Sequence, residues 1–182
     1  MAELAYPMIT IYFHGHARTL DIERGIASGH FDVALAESGR KQAAEEYRPV
    51  YDGIEFDAAF TSDTQRAYET AQIMLAGREV PIMQDARLRE CDYGDMTGSS
   101  RAEVEATRPQ HITKPFPNGE SYDQVMRRMQ SFVDDLAKDN DGKTVLVIGH
   151  YATYLGLEYA IKGVSVIDAM ASHPSAVEYH LG

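Results

Sequence analysis

The stretch Met8-Ile9-Thr10-Ile11-Tyr12-Phe13, followed at once by His14-Gly15-His16, decides how this chain is read. Met8 to Phe13 is almost continuously apolar, the pattern of a strand buried on both faces. Thr144 to Ile148 is a second run of this kind, and it ends in Gly149-His150. Two buried strands that each stop at glycine and histidine suggest a parallel sheet with polar chemistry at one edge.

Working outward, Ala58 to Thr61 and Val80 to Met83 read as shorter strands, and Ala176 to Leu181 as an edge strand. Helical patterns separate them. Ser38 to Tyr51 carries Ala43, Ala44, Tyr47 and Tyr51 at helical spacing. Ser62-Asp63-Thr64-Gln65 has capping-box spacing and predicts a helix with Ala67, Ala71, Met74 and Leu75 on one face. Ser100-Arg101-Ala102-Glu103 repeats that spacing before a short helix that Pro109 ends. Ser121-Tyr122-Asp123-Gln124 opens the clearest helix, with Tyr122, Val125, Met126, Met129, Phe132, Val133 and Leu136 as its stripe. A further helix spans about Ala152 to Ile161. Alternating strands and helices predict an α/β fold, a three-layer α/β/α sandwich with a mostly parallel central sheet. The 182 residues suit one domain over 1–182, with a small inserted segment at about 92–121.

Lys and Arg number 17 against 28 Asp and Glu, a formal charge of −11. That balance excludes nucleic acid and anionic membranes as expected partners, since both call for a basic patch. An acidic chain acting on an anion would need a local site of reversed sign. The single cysteine, Cys91, can form no internal disulfide and no Cys-rich metal site, and reads as a small packing residue. Met1 to Phe13 has no basic start and only a short apolar run, and no other stretch approaches 18 apolar residues. A soluble, cytoplasmic protein is expected, with its oligomeric state not readable.

In open α/β sheets the ligand lies at the carboxyl ends of the strands. That rule selects His14-Gly15-His16, Ser62 to Arg66, Arg87 to Glu90, and Gly149-His150. Histidine, arginine and a carboxyl together suit phosphoryl handling. Neutral imidazole can attack phosphorus, and arginine offers a planar fork for two oxygens. A protonated second histidine can add positive charge, and a protonated carboxyl can protonate the leaving oxygen. The scheme needs no metal and no cofactor. The spacing His14-x-His16 has no second ligand pair to complete a metal site, so His16 reads as a mobile surface residue. Gly142-Lys143-Thr144 precedes a strand and lacks the earlier glycine of a phosphate-binding loop, so it reads as a turn.

In order along the chain, these residues resemble the histidine phosphatase superfamily, in its phosphoglycerate mutase-like branch. Phe13-His14-Gly15 is similar to the family's Arg-His-Gly loop, which implies His14 as nucleophile. Asp32-x-x-Leu35-x-Glu37-x-Gly39-x-x-Gln42-Ala43 follows the family's next stretch. Ser62-Asp63-Thr64-Gln65-Arg66-Ala67-x-x-Thr70-Ala71 implies Arg66 as a phosphate ligand. Leu88-Arg89-Glu90-x-x-Tyr93-Gly94 implies Glu90 as general acid. Pro117-Asn118-Gly119-Glu120-Ser121 and Val145 to His150 match its later motifs, with His150 as second histidine.

Four departures accompany the resemblance. Phe13 stands for the family's arginine, Ala17 for the Thr or Ser three residues on, and Leu20 for the Asn six residues on. Tyr151 replaces the glycine after the second histidine. Arg18, four residues past His14, is the candidate replacement for the missing arginine. The expected phosphate-binding set is therefore Arg66, His14, His150 and Arg18. The expected activity is cofactor-independent hydrolysis of a phosphate monoester through phospho-His14. The substrate would be a small phosphorylated metabolite or a phosphoprotein. Two alternatives stand beside it: a phosphoglycerate-type mutase, and a catalytically weak phosphate-binding or interaction protein. Substrate identity is expected to lie in Asp92 to Ser121, a segment with few fixed charges of obvious target.

Overall fold

The computed structural model describes residues 8–182; residues 1–7 of the expected domain lie outside the described residues. The elements in chain order are β1 (Ile9–Gly15), α1 (Leu20–Glu23), α2 (Glu37–Gln42), β2 (Ala58–Thr61), α3 (Gln65–Met74), β3 (Ile82–Gln84), α4 (Arg101–Thr107), α5 (Tyr122–Asp139), β4 (Thr144–Gly149), α6 (Tyr151–Lys162), α7 (Val166–Ala169) and β5 (Ala176–Leu181). The sheet order is β3-β2-β4-β1-β5. Every pairing is parallel except that of β1 with the edge strand β5, which is antiparallel.

Because side chains alternate along a strand, β1 and β4 feed two cores. Ile9, Ile11, Phe13, Val145 and Val147 pack with α5 and α6. Leu146 and Ile148 pack with Ala67, Ala71 and Met74 of α3, and with Tyr51 and Phe56. Helices therefore cover both faces, giving the expected three layers. Among the described residues, no helix is long and apolar enough to cross a membrane.

The strongest sequence pattern is matched residue for residue. Tyr122, Val125, Met126, Met129, Phe132, Val133 and Leu136 of α5 are all buried, and Ser121 caps the helix with Gln124 in a reciprocal capping box. Each such side chain contributes about 1.5–3 kcal/mol of transfer free energy before entropy is charged against it. Where α5 meets α6 the helices come close because Gly156 has no side chain; a Cβ there would lie 2.3 Å from Met129 Cγ.

Three local expectations need correction, the first being the cap at Ser100, which precedes α4 but makes no side-chain cap hydrogen bond. Ser38 to Tyr51 is not one α-helix: α2 gives way to a π-helical turn, Ala43–Tyr47, then a 3-10 turn, Arg48–Tyr51, with Pro49 at its start. Proline lacks the N–H that a continuing α-helix would need. Ser62 is not a cap either, since α3 is preceded by Thr64 and no side chain caps it.

Candidate active site

The register of two parallel strands brings the site together. Gly15 of β1 pairs with Gly149 of β4, so residues 16 and 150 leave the sheet side by side. The His16 N–H donates to the Gly149 carbonyl at 2.9 Å, and the two imidazole rings lie 4.9 Å apart. They open into a cavity of about 290 Å³, lined also by Arg18, Arg66 and Glu90.

This placement corrects the sequence reading of the two early histidines. The apolar run stops at Phe13, but the strand continues through Gly15. His14 is still inside it, 3 % exposed, with its ring 4.0 Å from Tyr47 and 6.0 Å from Tyr51. Alternation puts it on the face that holds Tyr12, away from the cavity wall, and it does not line the cavity. A buried histidine is tolerated there because its Nδ1 donates to the Gly15 carbonyl at 2.7 Å. His16, expected to be a mobile surface residue, instead faces His150 and Arg66.

Counting from His16, the resemblance shifts by two residues. Thr19 then stands three residues on, Ile22 six residues on, and Gly15 in place of the preceding arginine. Phe13 is a core residue against Tyr154, with ring centroids 6.3 Å apart. Thr19 is buried and its Oγ1 accepts the Ile22 N–H at 3.2 Å, capping α1.

The hydrogen bonds fix the proton on each ring. His16 Nδ1 lies 2.8 Å from the Ala17 carbonyl, which can only accept. The neutral ring therefore carries its proton on Nδ1 and leaves a lone pair on Nε2. His150 Nδ1 lies 3.4 Å from Arg66 Nη2, which can only donate, so His150 is protonated on Nε2 and donates to Ser62 Oγ at 2.7 Å. Ser62 in turn lies 2.8 Å from Thr64 Oγ1. Burial, reinforced by the nearby Arg66 charge, pushes His16 down to about 3 despite its bond to the Ala17 carbonyl. The same causes, in the same order, hold His150 well below the ordinary histidine range. His150 is thus neutral in this arrangement, in place of the protonated histidine the sequence suggested.

Arg66 comes from the first turn of α3 and is 2 % exposed. Its Nη1 donates to the Phe31 carbonyl at 2.7 Å and its Nη2 to the Gly29 carbonyl at 2.8 Å. These bonds fix the guanidinium plane and leave other donors of the fork available. Glu90 lies on the cavity wall, its carboxylate accepting the Cys91 N–H at 2.8 Å. Its backbone carbonyl is held by Arg128 Nη2 at 2.9 Å and His30 Nε2 at 2.8 Å. Arg18 lines the cavity mouth but is exposed, its backbone N–H tied to Gln42 Oε1 at 3.2 Å. Cys91 is buried, as a packing residue should be, and burial raises its thiol well above the ordinary range.

Four of the five expected residues, Arg66, Glu90, His150 and Arg18, therefore share one cavity, and His14 does not. The strand-end rule selects the stretches that hold His16 and Ser62, but the sequence reads His16 as a mobile surface residue and Ser62 as a helix cap; Arg101 and Arg108 carry no signal as cavity residues.

A sheet with two facing histidines, a fixed arginine and a carboxyl at its carboxyl edge defines a phosphoryl-handling α/β protein. The family model "Histidine phosphatase superfamily (branch 1)" matches residues 11–173, and the chain belongs to that superfamily. It is 30% identical over 179 residues to a 2,3-bisphosphoglycerate-dependent phosphoglycerate mutase of Cytophaga hutchinsonii, covering 89% of this chain and 80% of that protein. It is 29% identical over 158 residues to phosphoglycerate mutase-like protein 4 of Arabidopsis thaliana, covering 81% and 68%. Among solved structures, Bacillus stearothermophilus YhfR aligns with a TM-score of 0.79 and 30% identity, over 93% of this chain and 90% of that one. A mycobacterial glucosyl-3-phosphoglycerate phosphatase solved with VO3 aligns at 0.77 and 25% identity, over 95% and 92%.

Proposed function

We propose that this chain hydrolyses a phosphate monoester through a phosphohistidine on His16. The observation that carries the reading is the His16 ring itself: neutral, with its Nε2 lone pair free, beside His150 and Arg66 in a cavity. In the first step Nε2 attacks phosphorus and the bond to the alcohol oxygen breaks. Glu90, in its protonated form, gives that oxygen its proton. In the second step water attacks the phosphorus of phospho-His16, Glu90 takes the proton from the water, and inorganic phosphate leaves with His16 restored. Arg66 and His150 would hold the non-bridging oxygens, Arg66 by its free guanidinium donors and His150 by its Nε2–H, released from Ser62. No step needs a metal or cofactor. Arg18 at the mouth would contribute charge to the incoming ester.

The test is a panel of phosphate esters assayed by phosphate release. Wild-type protein should turn over at least one of them, and His16→Ala should lose about a thousandfold or more in kcat. Activity that survives His16→Ala would remove this mechanism. Tight binding of phosphate esters without turnover would instead favour a phosphate-binding protein.

The mutase reading has its own observation, since the two named relatives are a phosphoglycerate mutase and a mutase-like protein. We favour hydrolysis because the segment between Glu90 and His150 is short, leaving water access to the phosphohistidine. Phosphorus NMR of phosphoglycerate primed with a bisphosphate separates the two, since only a mutase interconverts the isomers. The cytoplasm is the proposed location, and a small metabolite or phosphoprotein the proposed partner.

A further inference from the structure

The turn at residues 29–32 touches two of the proposed working groups at once. The Gly29 and Phe31 carbonyls accept from Arg66 Nη2 and Nη1 at 2.8 and 2.7 Å. Asp32 Oδ1 accepts the N–H of Gln65, the residue before Arg66, at 2.7 Å. His30, between the two carbonyls, reaches the acid instead: its Nε2 lies 2.8 Å from the Glu90 carbonyl. That oxygen can only accept, so Nε2 carries the ring proton and donates it.

The surroundings hold this ring on its partner. Gly29 has a φ of +49°, and a Cβ there would lie 3.1 Å from Tyr93 Cδ2 and 3.0 Å from Thr97 Oγ1. Glycine thus lets the turn lie close against the segment that follows Glu90. His30 Nδ1 is 3.8 Å from Asp92 Oδ2, and Nε2 is 3.8 Å from Glu120 Oε2, both too far for a hydrogen bond. Among the described residues, the bond to Glu90 is therefore what fixes the ring.

A carbonyl oxygen has two lone pairs, and that of Glu90 uses both, for His30 and for Arg128 Nη2 at 2.9 Å. Arg128 also binds the Arg87 carbonyl and the Glu120 carboxylate, so it ties the acid to α5. His30 ties the acid to Arg66. The reaction needs that second tie, because Arg66 would set where the phosphoryl oxygens lie and Glu90 must meet the leaving oxygen on the same phosphorus. A misplacement of about 1 Å can cost about 10²-fold in rate.

We infer that His30 is a positioning residue, which sets the Glu90 carboxyl against the Arg66 fork without itself lining the cavity. This rests on the reading of Glu90 as the acid that protonates the leaving oxygen.

The experiment compares kcat/KM on two esters. Propyl phosphate releases a strongly basic alkoxide that needs the proton, whereas 4-nitrophenyl phosphate releases a phenolate that leaves without it. The later hydrolysis of phospho-His16 is common to both and does not enter kcat/KM. A positioned acid contributes ~10²–10⁴-fold, so in His30→Ala the propyl-to-nitrophenyl ratio should fall by about tenfold or more. Glu90→Gln should lower the ratio at least as far. His30→Gln, whose amide N–H can still donate to the carbonyl, should keep most of it. Inhibition by inorganic phosphate, which reports the Arg66 seat, should stay at the wild-type value in His30→Ala. An unchanged ratio in His30→Ala, an equal loss in His30→Gln, or a parallel loss of phosphate affinity overturns the inference while leaving Glu90 as the acid. A ratio unchanged in Glu90→Gln, or a wild type that hydrolyses neither ester, removes the acid reading and the inference with it. Should His30→Ala not fold, His30→Phe, which keeps a ring and loses the donor, carries the same ratio.

Discussion

At the scale of the residue, the site depends on where each proton sits. Half-buried His16 and buried His150 stay neutral because desolvation and the Arg66 charge both oppose protonation. Buried His14 is lowered as well, chiefly by burial. In the unfolded chain all three titrate near 6.5. Below that pH the unfolded state binds protons that the folded state refuses, so their stabilising contribution is complete above about 6.5. It is lost as pH falls from there toward about 3, the value for His16. The loss can reach about 1.4 kcal/mol per pH unit for each histidine. Urea midpoints should therefore drop between pH 7.5 and 5.5, and a His16→Gln, His150→Gln double variant should drop less over the same range. A wild-type midpoint flat across that window would contradict the assignment of neutral rings. The exchange of His14 for His16 shows why this level was only partly legible. His14-Gly15 matches the family's His-Gly pair locally, but the pairing of Gly15 with Gly149 is a contact between distant segments.

Elements were easier to read wherever one apolar stripe decided the outcome. α5 and β4 appear where the pattern places them, because burial and periodicity agree. α2 fails as a long helix because Pro49 and the packing of Tyr47 and Tyr51 around His14 override its spacing. Ser62 misleads for a related reason: its hydroxyl has a better partner in His150 than in a helix end. The α5–α6 contact makes a prediction at this scale. Gly156→Ala puts a methyl group into Met129, an overpacking that typically costs about 1–3 kcal/mol. For a chain of this length that corresponds to a melting temperature lower by about 2–10 °C. An unchanged melting curve would mean that the helices can separate freely there. Arg128 links the same helix to the site, since it holds the carbonyls of Arg87 and Glu90 and pairs with Glu120. If Glu90 is the acid proposed above, Arg128→Met should lower kcat more than it raises KM, because the displaced carboxyl would act after the ester is bound. A change confined to KM would detach Arg128 from the acid.

For the whole molecule, the charge of −11 and the cationic cavity pull in opposite directions. From the sequence alone, the charge argued against partners that call for a basic patch. What the sequence hid is that the inserted segment, read as poor in directed charge, supplies two arginines to the cavity. At long range the chain repels a doubly anionic ester, and salt screens that repulsion within about 10 Å at 0.1 M. kcat/KM should consequently rise, by up to a few-fold, as ionic strength goes from about 0.01 to 0.1 M. A steep fall would show that the cavity's own field dominates the encounter.

The central claim concerns one atom, His16 Nε2. Rapid alkaline quenching of wild-type protein during turnover of a phosphate ester, followed by peptide mapping, reads it directly. The account predicts an acid-labile phosphoryl group on His16 and none on His14. A phosphoryl group on His14, or turnover with no phosphohistidine at any time point, would contradict it.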